Sequence, residues 1–422
     1  MVESTNNSPV WHPYTQMKTA GLPVNIVRGE GEYLFDEEGN RYIDGVASWW
    51  TNIHGHAHPE IAKAIYEQAL KLEQVIFAGF THPSAEELAK HLLSIVSYHH
   101  KVFYSDNGST AVEVAIKMAL QYWNNKGTPR NKIVAFRDAY HGDTFGSMSV
   151  SARGVFTQPF QSLLFDVVFI DTPNGTNDQQ VIEQLSAAIA KGDVAAFIFE
   201  PLVLGSGGML MYSEKTLNKL IGVCKEGGVI SIADEVMTGF GRTGRFLATD
   251  YCNNKADIVC LSKGITGGFM PFAATTCTQA IYDVFYSDEK SKMLFHGHSY
   301  TANPLGCAAA LASLQVFGKE RTMSKIGAIE ERHAAFVTKL KGNPVVKQVR
   351  HRGTILAFEI NTKEETGYLN TIRDKAYKFF MGKRIILRPL GNVVYILPPY
   401  CISSDNLGVI YSAIEEFLVT IS

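Results

Sequence analysis

The chain has 422 residues, 46% of them hydrophobic and 19% charged, with a formal net charge of −2. That length supports a large core split over two domains, and the balanced charge gives no electrostatic pull toward nucleic acid or an anionic membrane. No run approaches the about 18 apolar residues of a transmembrane helix, and six scattered cysteines without a CxxC pair suit buried thiols rather than disulfides.

In chain order, Met1 to Pro9 shows no basic region followed by an apolar one, so a soluble, cytoplasmic protein is expected. Residues 1–58 read as loops and short strands at Pro23–Val27, Tyr33–Asp36 and Arg41–Asp44, forming an N-terminal segment that packs with a small C-terminal domain. From 59 to 304 strands and helices alternate. Helical period covers Pro59–Lys71, Ser84–Ser97 and Ala111–Trp123, while Lys101–Tyr104, Lys132–Phe136 and Val194–Phe199 are apolar enough for strands. This alternation predicts an α/β domain with a mostly parallel sheet covered on both faces. Beyond Pro304 one long helical segment leads to strands near Ile355–Ile360, Ile385–Leu387 and Val393–Leu397, so 305–422 should form a smaller α+β domain.

Two further runs, Gly228–Ala233 and Asp257–Cys260, end at Asp234 and just before Lys263. Both side chains should emerge at the carboxyl ends of parallel strands, where open α/β sheets bind ligands. A lysine and an aspartate aimed into one crevice suit pyridoxal phosphate: the lysine attaches the cofactor, and the aspartate keeps its pyridine nitrogen protonated. A buried salt bridge is the alternative for that pair alone. A phosphate site is available at Asp106–Thr110, where Gly108 permits close backbone approach and Ser109 adds a hydroxyl at a helix N-terminus. Ser109 or Thr110 could equally cap the helix. Tyr140–Thr144 follows a strand, so Tyr140 can stack on a planar ring and Asp143 can orient polar groups. The segment Phe295–Thr301, with Gly297, His298 and Ser299, offers donors for a second phosphate contact.

Two motifs are set aside. Gly239–Gly244 matches GxGxxG, but no helix of dinucleotide-binding type opens there. His54, His56 and His58 alternate, yet no nearby cysteine or carboxylate completes a shell, so no metal is expected.

Together these residues resemble the class III (ω-type) aminotransferases among the fold-type I pyridoxal-phosphate enzymes. The resemblance runs through Gly108-Ser109, Tyr140-His141-Gly142-Asp143, Glu200-Pro201, Asp234-Glu235-Val236, Gly239–Gly244 and Ser262-Lys263-Gly264. It implies a large domain and a smaller α+β domain, pyridoxal 5'-phosphate as cofactor and Lys263 as the catalytic residue. Gly108, Ser109, Tyr140, Asp234, Lys263, His298 and Ser299 are the implied cofactor contacts. Asn107 replaces the serine that often opens the family's phosphate turn. Trp11–Met17, Trp49-Trp50, Arg388-Pro389, Tyr395 and Pro398–Tyr400 narrow the resemblance to the branch that aminates 8-amino-7-oxononanoate, with S-adenosylmethionine as donor, in biotin biosynthesis. The implied substrate contacts are Tyr14, Trp49, Trp50, Tyr140, Arg242, Lys263, Gly297, Arg388 and Tyr395. An apolar keto-acid chain suits the aromatic residues, and a distant carboxylate suits the forked cation of Arg388, with Arg242 for the donor's carboxylate. A two-fold homodimer is also implied, with His298-Ser299 reaching the neighbouring subunit's phosphate. The alternatives are a class III enzyme acting on ornithine, 4-aminobutyrate or a general ω-amine, and an aminomutase on the same fold.

Overall fold

The computed structural model describes residues 8–421, so most of the N-terminal stretch read above, residues 1–7, lies outside the described residues. The described chain opens with an antiparallel meander of β1 (Ile26–Glu30), β2 (Tyr33–Asp36) and β3 (Arg41–Asp44). The first strand starts at Ile26 rather than Pro23, since proline has no N–H to give a ladder. Asp36 closes the following turn by accepting from the amides of Glu38 and Asn40 at 3.1 and 2.8 Å.

The central sheet contains β4 (Lys101–Ser105), β5 (Lys132–Phe136), β6 (Val167–Ile170) and β7 (Val194–Phe199). A short hairpin of β8 (Val203–Leu204) and β9 (Leu210–Met211) stands apart. The sheet then gains β10 (Ile230–Asp234), β11 (Ile258–Leu261) and β12 (Ala273–Cys277), in the spatial order β4-β12-β11-β10-β7-β5-β6. From β11 to β6 every pairing is parallel. β12 runs against both neighbours. The expected mostly parallel sheet is present, with β6 and β12 as strands that the apolar-run pattern did not mark.

Alternate residues of one strand enter different cores. Val134 and Phe136 join one apolar cluster while Ile133 and Ala135 join another, and Phe197 and Phe199 part from Ala196 and Ile198 in the same way. Both faces are therefore covered. Helix Gly108–Asn125 supplies Val112, Ala115 and Ala119 to one side; Leu88, Leu185 and Leu217 come from three other helices to the opposite side. Each fully buried Phe or Leu contributes about 1.5–3 kcal/mol relative to exposure, which explains why these strands read as unbroken apolar runs.

After the sheet, the expected single helical segment is two helices, Pro304–Lys319 and Thr322–Leu340. They break at Arg321, which takes a left-handed φ of +52° three residues after Gly318 in the last turn of the first helix. β13 (Val346–Arg352), β14 (Ile355–Ile360) and β16 (Val393–Ile396) form an antiparallel sheet. Between them β15 (Ile385–Ile386) leaves that sheet and pairs parallel with β3, Ile385 opposite Ile43. The N-terminal strands and the C-terminal third thus share backbone hydrogen bonds.

Candidate active site

Five chain segments leave the carboxyl ends of β4, β5, β7, β10 and β11 and line one cavity of about 850 Å³. β10 and β11 lie in register with Asp234 opposite Cys260, so Asp234 ends its strand at the edge where Lys263 follows two residues beyond β11. Lys263 opens a single turn with φ +48°. Such a conformation costs on the order of 1–3 kcal/mol and persists only where its surroundings hold it. Here Ser262 Oγ donates to the Phe272 carbonyl at 2.8 Å, and Thr266 Oγ1 donates to that of Met270 at 2.7 Å. Burial pushes the Lys263 ammonium below its ordinary pKa while Asp234 and Glu200 oppose the shift. More of the amine is then neutral, as a nucleophilic lysine requires. Its Nζ stands 4.8 Å from the centre of the Trp50 ring.

Asp234 is buried and does not pair with the lysine. Its Oδ2 lies 2.7 Å from His141 Nδ1, and its Oδ1 accepts from the Val236 amide at 3.1 Å. His141 Nε2 is buried with no hydrogen-bond partner among the described residues. Glu200, directly after β7, accepts from the amides of Tyr140 and Gly205, both at 2.9 Å, and burial pushes its pKa up to about 7.

The phosphate turn has a division of labour that sequence left open. Helix Gly108–Asn125 begins three residues earlier than expected and is capped by Asn107 together with Thr110, while Ser109 takes no part in the cap. Asn107 Oδ1 accepts from the Thr110 amide and Thr110 Oγ1 from the Asn107 amide, both at 3.0 Å. This reciprocal cap leaves Ser109 free to face the cavity, where its Oγ accepts from the Asp143 amide at 3.2 Å. A Cβ on Gly142, at φ +130°, would lie 2.0 Å from that oxygen, and one on Gly108 would lie 2.6 Å from Val236 Cγ1. Only glycine fits at either place. A helix N-terminus with a hydroxyl beside it, a buried carboxylate and a lysine of lowered pKa match the phosphate, ring nitrogen and aldehyde of pyridoxal phosphate.

The walls come from far along the chain. The Tyr14 hydroxyl donates to the Asp143 carboxylate and lies 3.4 Å from the Tyr140 hydroxyl, which must then be the donor to Tyr14. Burial and the Asp143 contact raise the Tyr14 pKa to about 12, so it stays protonated at neutral pH. Trp50 is buried and donates its indole N–H to the Tyr395 hydroxyl at 3.1 Å. Trp49 stays 39% exposed, tilted against Tyr14 with ring centres 5.8 Å apart and with the Arg388 guanidinium 4.8 Å from its ring centre. This tryptophan pair sits on a backbone with φ of +49°, +61° and +70° at Ala47, Ser48 and Trp50. Asp44 holds it by accepting from the Val46 and Ser48 amides at 3.1 and 2.7 Å.

Tyr14, Trp49, Trp50, Gly108, Ser109, Tyr140, Asp234 and Lys263 all line the cavity. Arg388 and Tyr395 do not line it but contact two residues that do, Arg388 lying over the Trp49 ring and Tyr395 accepting from the Trp50 indole. Arg242, expected at a substrate carboxylate, is only 1% exposed and does not line the cavity. Its guanidinium donates to the carbonyls of Pro398 (2.7 Å), Trp50 (3.3 Å) and Asn52 (3.4 Å), a clamp on the tryptophan turn. Gly297, His298 and Ser299 also lie outside their own chain's cavity. His298 sits 3.4 Å from Asp106, before the phosphate turn, and Ser299 offers its carbonyl to Gln74 at 2.5 Å. His54, His56 and His58 pair with Ser313, Asp44 and Glu320. No metal-binding group of three or more ligands occurs among the described residues. His141, Phe156 and Tyr368 were not singled out by sequence: a histidine within a Tyr-His-Gly turn signals nothing about Asp234 until the strands are set side by side.

The family model for Aminotransferase class-III matches residues 14–418. Adenosylmethionine-8-amino-7-oxononanoate aminotransferase from Synechococcus elongatus is 46% identical over 97% of this chain and 98% of that protein. The enzyme of the same name from Geobacter sulfurreducens is 40% identical over 98% and 96%. Among solved structures, that enzyme from Methanocaldococcus jannaschii superposes with a TM-score of 0.91 at 38% identity, covering 97% of each chain. An amine transaminase from an uncultivated Pseudomonas species, solved in its PLP-bound form, gives 0.93 at 30% identity over 99% of this chain and all of that one. The chain belongs to the class III aminotransferases, pyridoxal-phosphate enzymes of fold type I.

Proposed function

We propose that this aminotransferase moves an amino group from S-adenosylmethionine to 8-amino-7-oxononanoate, forming 7,8-diaminononanoate in biotin biosynthesis. The observation that supports the reading is the Arg388 guanidinium, 4.8 Å from the ring centre of the cavity-lining Trp49, a cation that suits a carboxylate far from the reacting carbon. The related enzymes bearing this name support it.

Pyridoxal phosphate, when bound, supplies an aldehyde carbon that carries the amino group and a ring that stores an electron pair. Lys263 would hold the cofactor through its amine, and the same amine, neutral in part because burial lowers its pKa, would serve as the base that accepts and returns a proton. Asp234, oriented by His141 and the Val236 amide, holds the ring nitrogen's proton. Gly108, Ser109 and the first amides of helix Gly108–Asn125 would hold the phosphate, and Tyr140 would face the ring. Tyr14, Trp49, Trp50 and Arg388 bind the acceptor, while Arg242 and Tyr395 act through the Trp50 turn they hold.

Exposed Ile76, Phe80, Phe295 and Tyr300 support a two-fold homodimer in which Gly297, His298 and Ser299 serve the partner's site. The paired β3 and β15 support an N-terminal segment, 1–58, that packs with a small domain, 305–422, beside the large domain 59–304. Six free cysteines, five of them buried, suit a reducing cytoplasm. No described helix is long and apolar enough to cross a membrane.

The test offers cofactor-loaded protein 8-amino-7-oxononanoate with S-adenosylmethionine, lysine, ornithine or 4-aminobutyrate, and follows diaminononanoate by mass spectrometry. Product with S-adenosylmethionine is expected; no product with any donor overturns the reading.

A further inference from the structure

The cavity has an aromatic collar that the cofactor chemistry does not use. Trp49 and Tyr14 stand 5.8 Å apart, Tyr14 and Phe156 5.6 Å, and Phe156 and Tyr368 4.8 Å, the last two pairs edge to face. All four rings line the cavity, together with Leu390. They come from four places in the chain: the N-terminal segment, the turn after β3, the loop before β6 and the loop between β14 and β15.

The loop that carries Tyr368 is held by residues just beyond Arg388. Buried Asn392 donates to the Ile360 carbonyl (3.0 Å) and Thr366 Oγ1 (3.2 Å) and accepts from the Gly367 amide (3.3 Å). Gly391, at φ +64°, meets the same loop so closely that a Cβ would lie 1.7 Å from the Gly367 carbonyl oxygen. The loop bearing Tyr368 is thereby docked on the segment that carries Arg388 and Leu390. The Arg373 guanidinium backs the ring at 5.1 Å from its centre.

We propose that Tyr368, closing the collar with Phe156, is a specificity-determining residue that grips the methylene chain of the keto-acid acceptor on its way to Arg388. This rests on the reading of Arg388 given above. A long apolar chain gains from an unbroken aromatic wall, whereas a shorter acceptor gains nothing there. The ring, not the hydroxyl, does the work.

The test compares wild-type holoenzyme with Tyr368→Ala, Tyr368→Phe and Phe156→Ala. The acceptors are 8-amino-7-oxononanoate and an analogue three methylenes shorter, and the donor half-reaction is followed separately by absorbance. Tyr368→Ala should raise KM for the full-length acceptor by about tenfold with kcat nearly unchanged, narrow the preference over the short analogue, and leave the donor half-reaction at its wild-type rate. Phe156→Ala should shift KM the same way, and Tyr368→Phe should match wild type. The inference is overturned if Tyr368→Ala leaves KM for the long acceptor within about threefold of wild type, slows the donor half-reaction equally, or is matched by Tyr368→Phe. If wild-type protein does not aminate 8-amino-7-oxononanoate at all, the functional reading itself has failed; if it does, the variants judge Tyr368 alone.

Discussion

The floor and the walls of the cavity are built on different principles. The floor groups Lys263, Asp234, His141 and Ser109 stand at or just beyond the ends of strands in one sheet, buried on both faces and fixed in register by backbone pairing. The wall groups Tyr14, Trp49, Phe156, Tyr368 and Arg388 stand on loops and turns from both ends of the chain, and several remain well exposed. A rigid sheet places reacting groups for chemistry common to many substrates. Loops hung around it can be exchanged to suit one substrate without disturbing that chemistry. Where a wall residue must be precise, the structure adds local support. The strained turn under Trp49 and Trp50 is tied down by Asp44, Arg242 and Tyr395.

Breaking the floor should have the largest effect. Lys263→Ala is expected to lower turnover by at least about three orders of magnitude and to abolish the cofactor attachment that borohydride reduction fixes to the protein. Mass spectrometry of the reduced protein checks this, and wild-type yield of the fixed cofactor would contradict the lysine's role.

Breaking a wall should cost less and only on one side. Arg388→Ala is expected to weaken the acceptor half-reaction by about 2–5 kcal/mol in kcat/KM, the range for removing one partner of a desolvated charge pair. The donor half-reaction should fall far less. Equal losses in both would mean that Arg388 supports the floor.

A third effect concerns stability and is carried by three buried histidines outside both regions. Burial holds His54 and His99 down to about 4 and His333 down to about 3, each below the ordinary value near 6.5. Their folded-state pKa lies below the unfolded one, so the unfolded chain binds more protons between those limits. Stability from these groups is complete above pH 6.5 and is lost as pH falls through the window toward 4. At pH 6 the loss should be about 1 kcal/mol per group, growing with further acidification. Urea midpoints at pH 7.5, 6 and 5 measure it, and a midpoint independent of pH would contradict the buried neutral imidazoles.

Much of the floor was legible in sequence because its causes are local. Apolar runs ending at Asp234 and Lys263 are what a doubly covered parallel strand requires, and both residues emerge together. β12 was missed because Ala-Ala-Thr-Thr-Cys carries little apolar bulk, and β13 because its Lys-Gln-Val-Arg-His-Arg residues are half-exposed. The break at Arg321 falls on a residue that is not a glycine, three positions after Gly318. Pairings across the chain were beyond reach: His141 on Asp234, Tyr368 on Phe156, and β15 crossing to β3 depend on tertiary contacts that no local pattern records. Arg242 misled for a related reason. An arginine in a glycine-rich loop looks available to a ligand, but the carbonyls of Trp50, Asn52 and Pro398 already hold its two terminal nitrogens.

The central claim is that a generic floor works behind walls selective for one acceptor. Its most direct test is a single-turnover measurement on wild-type protein converted to the pyridoxamine form. Mixing with 8-amino-7-oxononanoate should restore the pyridoxal absorbance within one turnover, and S-adenosylmethionine should then reverse it. Ready conversion by succinic semialdehyde or a general ketone, with none by 8-amino-7-oxononanoate, would contradict the account.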